Sequence, residues 1–265
     1  MATNDQKQQA REKREQAQAA AAAAAKRNRN IQILGGVIVS AIAVVILVVI
    51  LSGGKKTPDK GIATGKGDLQ GVTETKNLLD GVEQEGLTLG KASAPVTLIE
   101  FLDVQCPFCR DHQLDSQPKV INELVKTGKA RLTAQPIALP QMGEDSEAGR
   151  TVAVRLSAKN KAWNFLNLFY FNQGDEATGY VTDDYLKKLT VAAGGTAADA
   201  AREPDEKISA SLAKIDQLTT DLGVTGTPSF AIGKTGQPAS TYKKLTLTGS
   251  DTAQQLIDAV NNFKG

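Results

Sequence analysis

Two cysteines separated by two residues are the clearest sign of chemistry in this sequence. Cys106 and Cys109 form a Cys-Pro-Phe-Cys motif, and the chain contains no other cysteine. Thiol–disulfide exchange needs a thiolate that takes part in the attack and a second thiol close enough to resolve the mixed disulfide. The motif supplies both groups, so the sequence predicts a redox-active disulfide that works without a separate cofactor.

The position of this pair predicts that one sulfur is activated. Residues 96–102 are β-branched and apolar and predict a buried strand, and Pro107 is of the type favoured at the first position of a helix. At a helix N-terminus, unpaired N–H groups would stabilise Cys106 as an anion. Cys109 would be the more buried, resolving thiol. A purely structural disulfide is the alternative, but so short a loop would stabilise the fold little.

Composition argues against several other functions. There is one histidine, His112, so a zinc site with its usual four Cys or His ligands is not expected, and neither is a hydrolytic Cys–His nucleophile. We interpret His112 as a solvated helix residue, with a contribution of charge to the cysteine site as the alternative. Residues 61–265 carry a net charge of about −4, which argues against binding of nucleic acid.

The elements around the motif follow the order β–α–β, a helical block, then β–β–α. The helix that starts at Cys106 is expected to run to about residue 126, with a kink or break at Pro118. A strand at 130–137 follows it, and strand–helix–strand connections imply parallel pairing. Residues 144–222 predict helices, with an aromatic cluster near Trp163 as core. Strands at 229–232 and 244–248 and a helix capped by Ser250–Asp251 complete the pattern.

The N-terminal part of the chain predicts a membrane anchor. Residues 31–51 are 21 consecutive uncharged, mostly apolar residues, enough for a transmembrane helix and longer than the apolar core of a cleaved signal peptide. Residues 1–30, a charged Ala-rich tail, hold seven basic and three acidic residues, which places the N-terminus in the cytoplasm. We therefore expect a single-pass cell-membrane protein with a flexible linker at 52–80 and an extracytoplasmic domain at 81–265.

Two segments resemble one known family. Residues 96–109 (VTLIEFLDVQCPFC) look like the active-site segment of the DsbA family of thioredoxin-like proteins, and residues 223–230 (GVTGTPSF) look like its cis-proline segment. The resemblance covers residues 81–265 and is greatest to membrane-tethered bacterial members. It implies a thioredoxin-like α/β fold with an inserted helical domain at about 144–222, and the activity of a thiol–disulfide oxidoreductase.

The resemblance also implies roles for individual residues. Pro228 would be the cis-proline opposite the cysteine pair, and Thr227 would offer its backbone to a substrate peptide. Glu100 would be a buried acid that relays a proton to or from Cys109, with a solvent-facing glutamate as the alternative. Pro107 and Phe108 are the remaining expected substrate contacts, whereas Asp103 either lies near the site or only begins the loop. Phe108 stands where the best-studied oxidants have histidine, so it cannot supply positive charge.

These features predict an enzyme that introduces disulfides into unfolded or cysteine-containing exported proteins. A membrane partner would reoxidise, or in the opposite direction reduce, the cysteine pair, and the lipid bilayer would hold residues 31–51. Two alternatives remain open. The same site could act as a reductase or isomerase, since direction depends on reduction potential, or the domain could be a non-catalytic, membrane-tethered binding or adaptor module.

Overall fold

The computed structural model describes residues 68–248 and 251–264. Its helices and strands, in chain order, are α1 (Val72–Leu79), β1 (Gln84–Glu85), β2 (Thr88–Leu89), β3 (Val96–Leu102), α2 (residues 107–125), β4 (Ala130–Pro136), α3 (Gly143–Ser157), α4 (Ala162–Phe171), α5 (Asp183–Ala192), α6 (Glu206–Asp221), β5 (Ser229–Lys234), β6 (Lys243–Leu245) and α7 (Thr252–Asn261).

The strands form one mixed sheet in the order β1-β2-β4-β3-β5-β6. Strand β3 is central: it pairs in parallel with β4, from Val96 opposite Ala130 to Leu102 opposite Pro136, and antiparallel with β5. The predicted parallel β–α–β unit is therefore confirmed. All seven residues of β3 are buried, as expected of a strand that is covered on both faces. The cysteine motif follows the carboxyl end of this strand directly.

Alternation along β3 directs its side chains to two different core layers. Leu98 and Leu102 pack in the larger core with the buried residues of α2, α4 and α7, whereas Ile99 and Phe101 pack in the second layer with α6. Glu100 shares the face of Leu98 and Leu102 and is completely buried. A buried carboxylate thus lies on the sheet face that α2 covers.

Helix α2 does not break at Pro118, so of the predicted kink or break the break is excluded. It is helical throughout, with α-helical turns at Pro107–Asp111 and Gln117–Val120 that alternate with π-helical turns at His112–Ser116 and Ile121–Val125. The N–H of Gln117 donates to the carbonyl of His112, five residues earlier. Because this wider turn ends where Pro118 enters the second position of the next segment, the missing proline N–H does not interrupt the helix.

The helical insertion contributes much of the core. Trp163, Phe165, Phe169 and Tyr170 on α4 are each at most 1% exposed, so the aromatic cluster is a packing element as predicted. Thr182 is the N-cap of helix α5, and its hydroxyl accepts from the N–H of Tyr185. The insertion thus packs into the same core as the sheet.

The folded region begins earlier than residue 81. Residues 72–79 of the predicted 52–80 linker form α1, whose Thr75 hydroxyl donates to Asn167 Oδ1 at 2.7 Å. Gln70 and Asn172 exchange two hydrogen bonds of 3.0 Å each. Sequence analysis placed these residues in the linker because an eight-residue helix at the end of a Gly- and Lys-rich stretch does not change the average composition of that stretch.

The predicted transmembrane segment at 31–51 lies outside the described residues, as do the tail at 1–30 and the linker up to residue 67. Among residues 68–248 and 251–264, no helix is both long and apolar enough to cross a bilayer. Strand β6 is also shorter than expected, since it ends at Leu245 rather than at residue 248.

Candidate active site

Cys106 occupies the N-cap of α2, with Pro107 at the first helical position. Its pKa is lowered from 9.0 to about 6, chiefly because the Cys109 thiol hydrogen-bonds to its sulfur. The Thr227 hydroxyl and the backbone N–H groups of Phe108 and Cys109 add to this effect, while partial burial opposes it. Cys106 is therefore the sulfur that ionises at neutral pH, as its predicted position requires, although only 3% of the residue is exposed.

Cys109 has the opposite electrostatic environment. The residue is completely buried, and burial raises its pKa well above 9.0, with a further increase from the adjacent Cys106 sulfur. The two thiols are free in this structure. One sulfur is thus held as an anion and the other as a neutral thiol, the asymmetry required of an attacked sulfur and a resolving sulfur.

The Thr227–Pro228 peptide bond is cis, and the turn that contains it lies against the cysteine pair. In its protonated form the Cys106 thiol donates to the Thr227 carbonyl oxygen at 3.4 Å. The Thr227 hydroxyl lowers the pKa values of both thiols and has no other partner among the described residues. The structure therefore brings together four of the predicted site residues: Cys106, Cys109, Thr227 and Pro228.

Pro107 and Phe108 lie at the solvent side of the same site. Both are exposed, and 70% of the Phe108 side chain is accessible. The assignment of these two residues to substrate contact remains a prediction that this geometry allows.

Glu100 lies on the inner side of the site, beneath α2. One carboxylate oxygen accepts from Gln113 Nε2 at 2.8 Å and the other from Gln117 Nε2 at 2.9 Å. Burial raises the pKa of Glu100 from 4.5 to about 8, and the two glutamine hydrogen bonds offset part of the increase. The alternative of a solvent-facing glutamate is excluded, and the carboxyl can gain and lose a proton near neutral pH.

His112 is not the solvated residue that the sequence suggested. It is 4% exposed, its ring packs edge-on against Phe230 at a centroid distance of 4.9 Å, and its Nε2 contacts Gln117 Oε1 at 2.9 Å. Burial lowers its pKa to about 4, so the ring is neutral at neutral pH and adds no charge to the site. His112 follows the completely buried Cys109 by three residues, so it shares the buried face of this helix.

Asp103 anchors the loop between β3 and the cysteines. Its carboxylate accepts from the N–H groups of Gln105 at 2.8 Å and Leu139 at 2.7 Å, and from the Ser146 hydroxyl. Burial raises its pKa. Its carbonyl accepts from the N–H of Cys106 at 3.0 Å. Asp103 therefore lies near the site and fixes the loop, rather than only beginning it.

The helical insertion holds this loop from the other side. Gln173 Nε2 donates to the carbonyls of Val104 at 2.7 Å and Cys106 at 3.2 Å, and the Tyr170 hydroxyl donates to that of Asp103 at 3.1 Å. Sequence reasoning missed the residues of these supporting contacts, namely Gln113, Gln117, Ser146, Tyr170 and Gln173. Only Gln113 carried a signal, because it follows Cys109 by four residues and so shares its helix face.

Comparison with known proteins agrees with this geometry. Residues 83–248 match the family model described as Thioredoxin. The chain is 34% identical over 104 residues to a probable disulfide bond formation protein D of Bacillus cereus, which is 38% of this chain and 47% of that protein. It is 23% identical over 146 residues to disulfide bond formation protein D of Bacillus subtilis, or 54% of this chain and 66% of that protein. The matches thus span about half to two thirds of these relatives.

Two solved structures share the fold. BdbD from Bacillus subtilis in its oxidised form superimposes with a TM-score of 0.53 at 18% identity, covering 68% of this chain and 95% of that one. Alpha-DsbA1 from Wolbachia pipientis gives a TM-score of 0.53 at 18% identity and covers 69% and 90%. The expectation of a thioredoxin-like fold with a helical insertion is therefore confirmed.

Proposed function

Because this chain belongs to the thioredoxin family, we propose that it is a thiol–disulfide oxidoreductase that introduces disulfides into exported proteins through Cys106 and Cys109. The observation that carries the proposal is the opposite environment of the two sulfurs. With a pKa of about 6, Cys106 is roughly nine-tenths ionised at about pH 7. A stable thiolate is a good leaving group and favours the reduced form of the pair, which makes the disulfide form an oxidant.

The reaction balances as two successive exchanges. A substrate thiolate attacks Cys106 Sγ and breaks the Cys106–Cys109 disulfide, so that Cys109 leaves as a thiolate and takes a proton from Glu100. A second substrate thiolate then attacks the substrate sulfur of the mixed disulfide and releases Cys106 as a thiolate. The substrate loses two electrons and gains a disulfide, and the cysteine pair is reduced to a dithiol.

The surroundings of Cys106 support binding of an extended peptide. The Thr227 backbone lies beside the Cys106 sulfur, and an extended peptide added as a strand would bind there through main-chain hydrogen bonds. The exposed Phe108 would contact apolar side chains, which unfolded proteins display and folded ones bury. This recognition fits unfolded, cysteine-containing substrates.

The membrane anchor at 31–51 and the extracytoplasmic location complete the proposal. Outside the cytoplasm no glutathione or thioredoxin pool keeps the pair reduced, so an oxidant can be regenerated by a disulfide-bearing partner in the membrane. In the reaction with that partner the same exchange runs in reverse. Cys106 and Cys109 transfer two electrons to the partner's disulfide and become a disulfide again.

The test is oxidation of a reduced, unfolded protein by the disulfide form of the full chain. We expect stoichiometric formation of substrate disulfides with the wild type and none with Cys106→Ser. Cys109→Ser should accumulate a mixed disulfide when it is mixed with oxidised substrate, because the resolving thiol is missing. Equilibration with glutathione measures the reduction potential of the Cys106–Cys109 pair and so decides the direction of the reaction. A reduction potential as low as that of thioredoxin, about −270 mV, would mean that the protein is a reductase and not an oxidase. A complete lack of thiol–disulfide exchange would contradict the proposed activity and support the alternative of a non-catalytic binding domain.

A further inference from the structure

Glu100 receives its two hydrogen bonds from two glutamines that are not equivalent. Gln117 Nε2 donates to Oε2 at 2.9 Å, and the oxygen of the same amide, Oε1, contacts His112 Nε2 at 2.9 Å. Gln113 Nε2 donates to Oε1 at 2.8 Å, but its own oxygen has no hydrogen-bond partner among the described residues. One amide is therefore held at both ends, and the other is held only through its contact with Glu100.

The orientation of Gln117 depends on the protonation of His112. An amide oxygen only accepts, so the contact with Gln117 Oε1 requires a proton on His112 Nε2. The ring is neutral, and its other nitrogen, Nδ1, is buried without a partner. The neutral ring thus donates from Nε2, which turns the NH₂ group of Gln117 toward Glu100. If this donor were lost, the Gln117 amide could rotate and present its oxygen to a protonated carboxyl.

We propose that His112 and Gln117 are positioning residues for Glu100: the histidine fixes the Gln117 amide as a donor to Oε2, so that Glu100 carries its exchangeable proton on Oε1. This inference rests on the proposed function for its link to thiol exchange. Oε1 is the oxygen on the side of Gln113, which follows Cys109 by four residues on the same helix. A protonated Oε1 can donate to the unpartnered oxygen of Gln113 after rotation of that amide.

Few other groups can titrate around this cluster. The Tyr170 hydroxyl, which α4 brings to the site, interacts electrostatically with four side chains: Cys106, Cys109, Asp103 and Glu100 itself. Strand β5 contributes Phe230. The buried residues of α7, which packs on the same turn of α2, are all apolar: Ala253, Leu256, Ile257 and Val260. His112 therefore acts on Glu100 chiefly through the Gln117 donor at 2.9 Å, and its own Nε2 lies 3.7 Å from Glu100 Oε1, beyond hydrogen-bond distance.

Two substitutions of His112 separate the donor from the ring. His112→Phe keeps an aromatic ring against Phe230 but has no donor, whereas His112→Gln loses the ring and keeps an NH₂ group near the position of Nε2. We measure the titration of the Glu100 carboxyl by NMR in the reduced full chain labelled with ¹³C-glutamate, and assign the signal with Glu100→Gln. Because each variant weakens a hydrogen bond to the charged carboxylate, His112→Phe and Gln117→Met should each raise the Glu100 pKa by roughly one unit.

The proposal requires His112→Gln to titrate like the wild type. Gln84→Met is the matched control, because Gln84 makes two side-chain hydrogen bonds to α4 outside the cluster and its loss should leave the Glu100 titration unchanged. If His112→Phe titrates like the wild type while His112→Gln does not, the ring only packs and the proposal is overturned. Unchanged titration in Gln117→Met also overturns it.

The pH profile of exchange with glutathione links the cluster to the reaction. Its alkaline limb should move upward in His112→Phe and Gln117→Met and stay in place in His112→Gln and Gln84→Met. A wild-type protein that does not exchange thiols, but whose Glu100 titration responds as stated, would refute the proposed function and leave this inference standing. Normal thiol exchange in the wild type, together with a Glu100 titration that the substitutions leave unchanged, would support the proposed function and overturn this inference.

Discussion

The reactivity of Cys106 depends on how readily its thiol loses a proton. The largest contribution to its low pKa is the hydrogen bond from Cys109, not the charge of a neighbouring cation. This explains how the site can hold a thiolate with Phe108 between the cysteines and with a neutral His112. Cys109, the resolving thiol, therefore also activates Cys106 by lowering its pKa.

We expect Cys109→Ala to raise the Cys106 pKa from about 6 by roughly one unit, because the sulfur loses its main hydrogen-bond donor. Ultraviolet absorbance of the thiolate as a function of pH measures the change. Cys109→Ser is the matched control, since its hydroxyl can still donate, and it should titrate nearer to the wild type. Equal pKa values in the two variants would show that the Cys109 hydrogen bond is not the cause.

Glu100 links fold stability to pH in a direction opposite to that of most carboxylates. Its pKa is raised from 4.5 to about 8, so between these values the folded chain binds a proton that the unfolded chain has released. The contribution of the group to stability is fully present below pH 4.5 and is lost as the pH rises through about 8. Glu100→Gln should therefore increase the free energy of unfolding at alkaline pH, by on the order of 4 kcal/mol.

Urea unfolding of the reduced protein at several pH values measures this effect. Glu123→Gln, an exposed substitution on α2, the helix that covers Glu100, is the control and should leave the pH dependence unchanged. A Glu100→Gln variant that loses stability in parallel with the wild type as the pH rises would mean that Glu100 is ionised in the fold at neutral pH.

At the scale of elements, the cysteine loop is held from two directions. Asp103 links it to the start of the insertion through Leu139 and Ser146, and Gln173 links it to the segment after α4. The insertion is therefore part of the structure that fixes Cys106, in addition to any role in substrate binding. Helix α1 packs on α4 in turn and belongs to the same unit.

We expect Thr75→Val to reduce the free energy of unfolding by about 1–2 kcal/mol. The substitution removes the donor to Asn167 Oδ1 and leaves that buried oxygen without its partner on α1. Denaturation of the full chain measures the loss. Thr73→Val on the exposed side of the same helix is the control and should change stability by less than about 0.5 kcal/mol. Equal effects of both substitutions would mean that α1 does not stabilise the folded domain.

At the scale of the whole molecule, the proposal places the cysteine site outside a membrane that residues 31–51 cross. In bacterial cells that express the full chain, a thiol reagent that cannot cross the membrane should label Cys106 after mild reduction, and the protein should fractionate with membranes. Deletion of 31–51 should release the chain from the membrane fraction. Labelling of the full chain only after cell lysis would place the domain in the cytoplasm and contradict the proposed orientation.

The amino-acid sequence by itself determined the features that depend on local pattern. The buried strand β3, the proline at the helix start, the cysteine spacing and the cap at Asp251 are all set by residues close in the chain, and the structure has them as predicted. The cis-proline segment and the fold followed from the resemblance of two short motifs.

Tertiary structure alone decided which distant side chains meet. Glu100 could be assigned to a buried face, but its partners depended on the π-helical turn that redirects Gln113, Gln117 and His112, and such a turn has no simple sequence period. Gln173 reaches Cys106 across 67 residues, and α1 is helical because α4 covers it. Contacts of this kind lower the free energy only once the chain is folded, so the helix and strand propensities of neighbouring residues do not predict them.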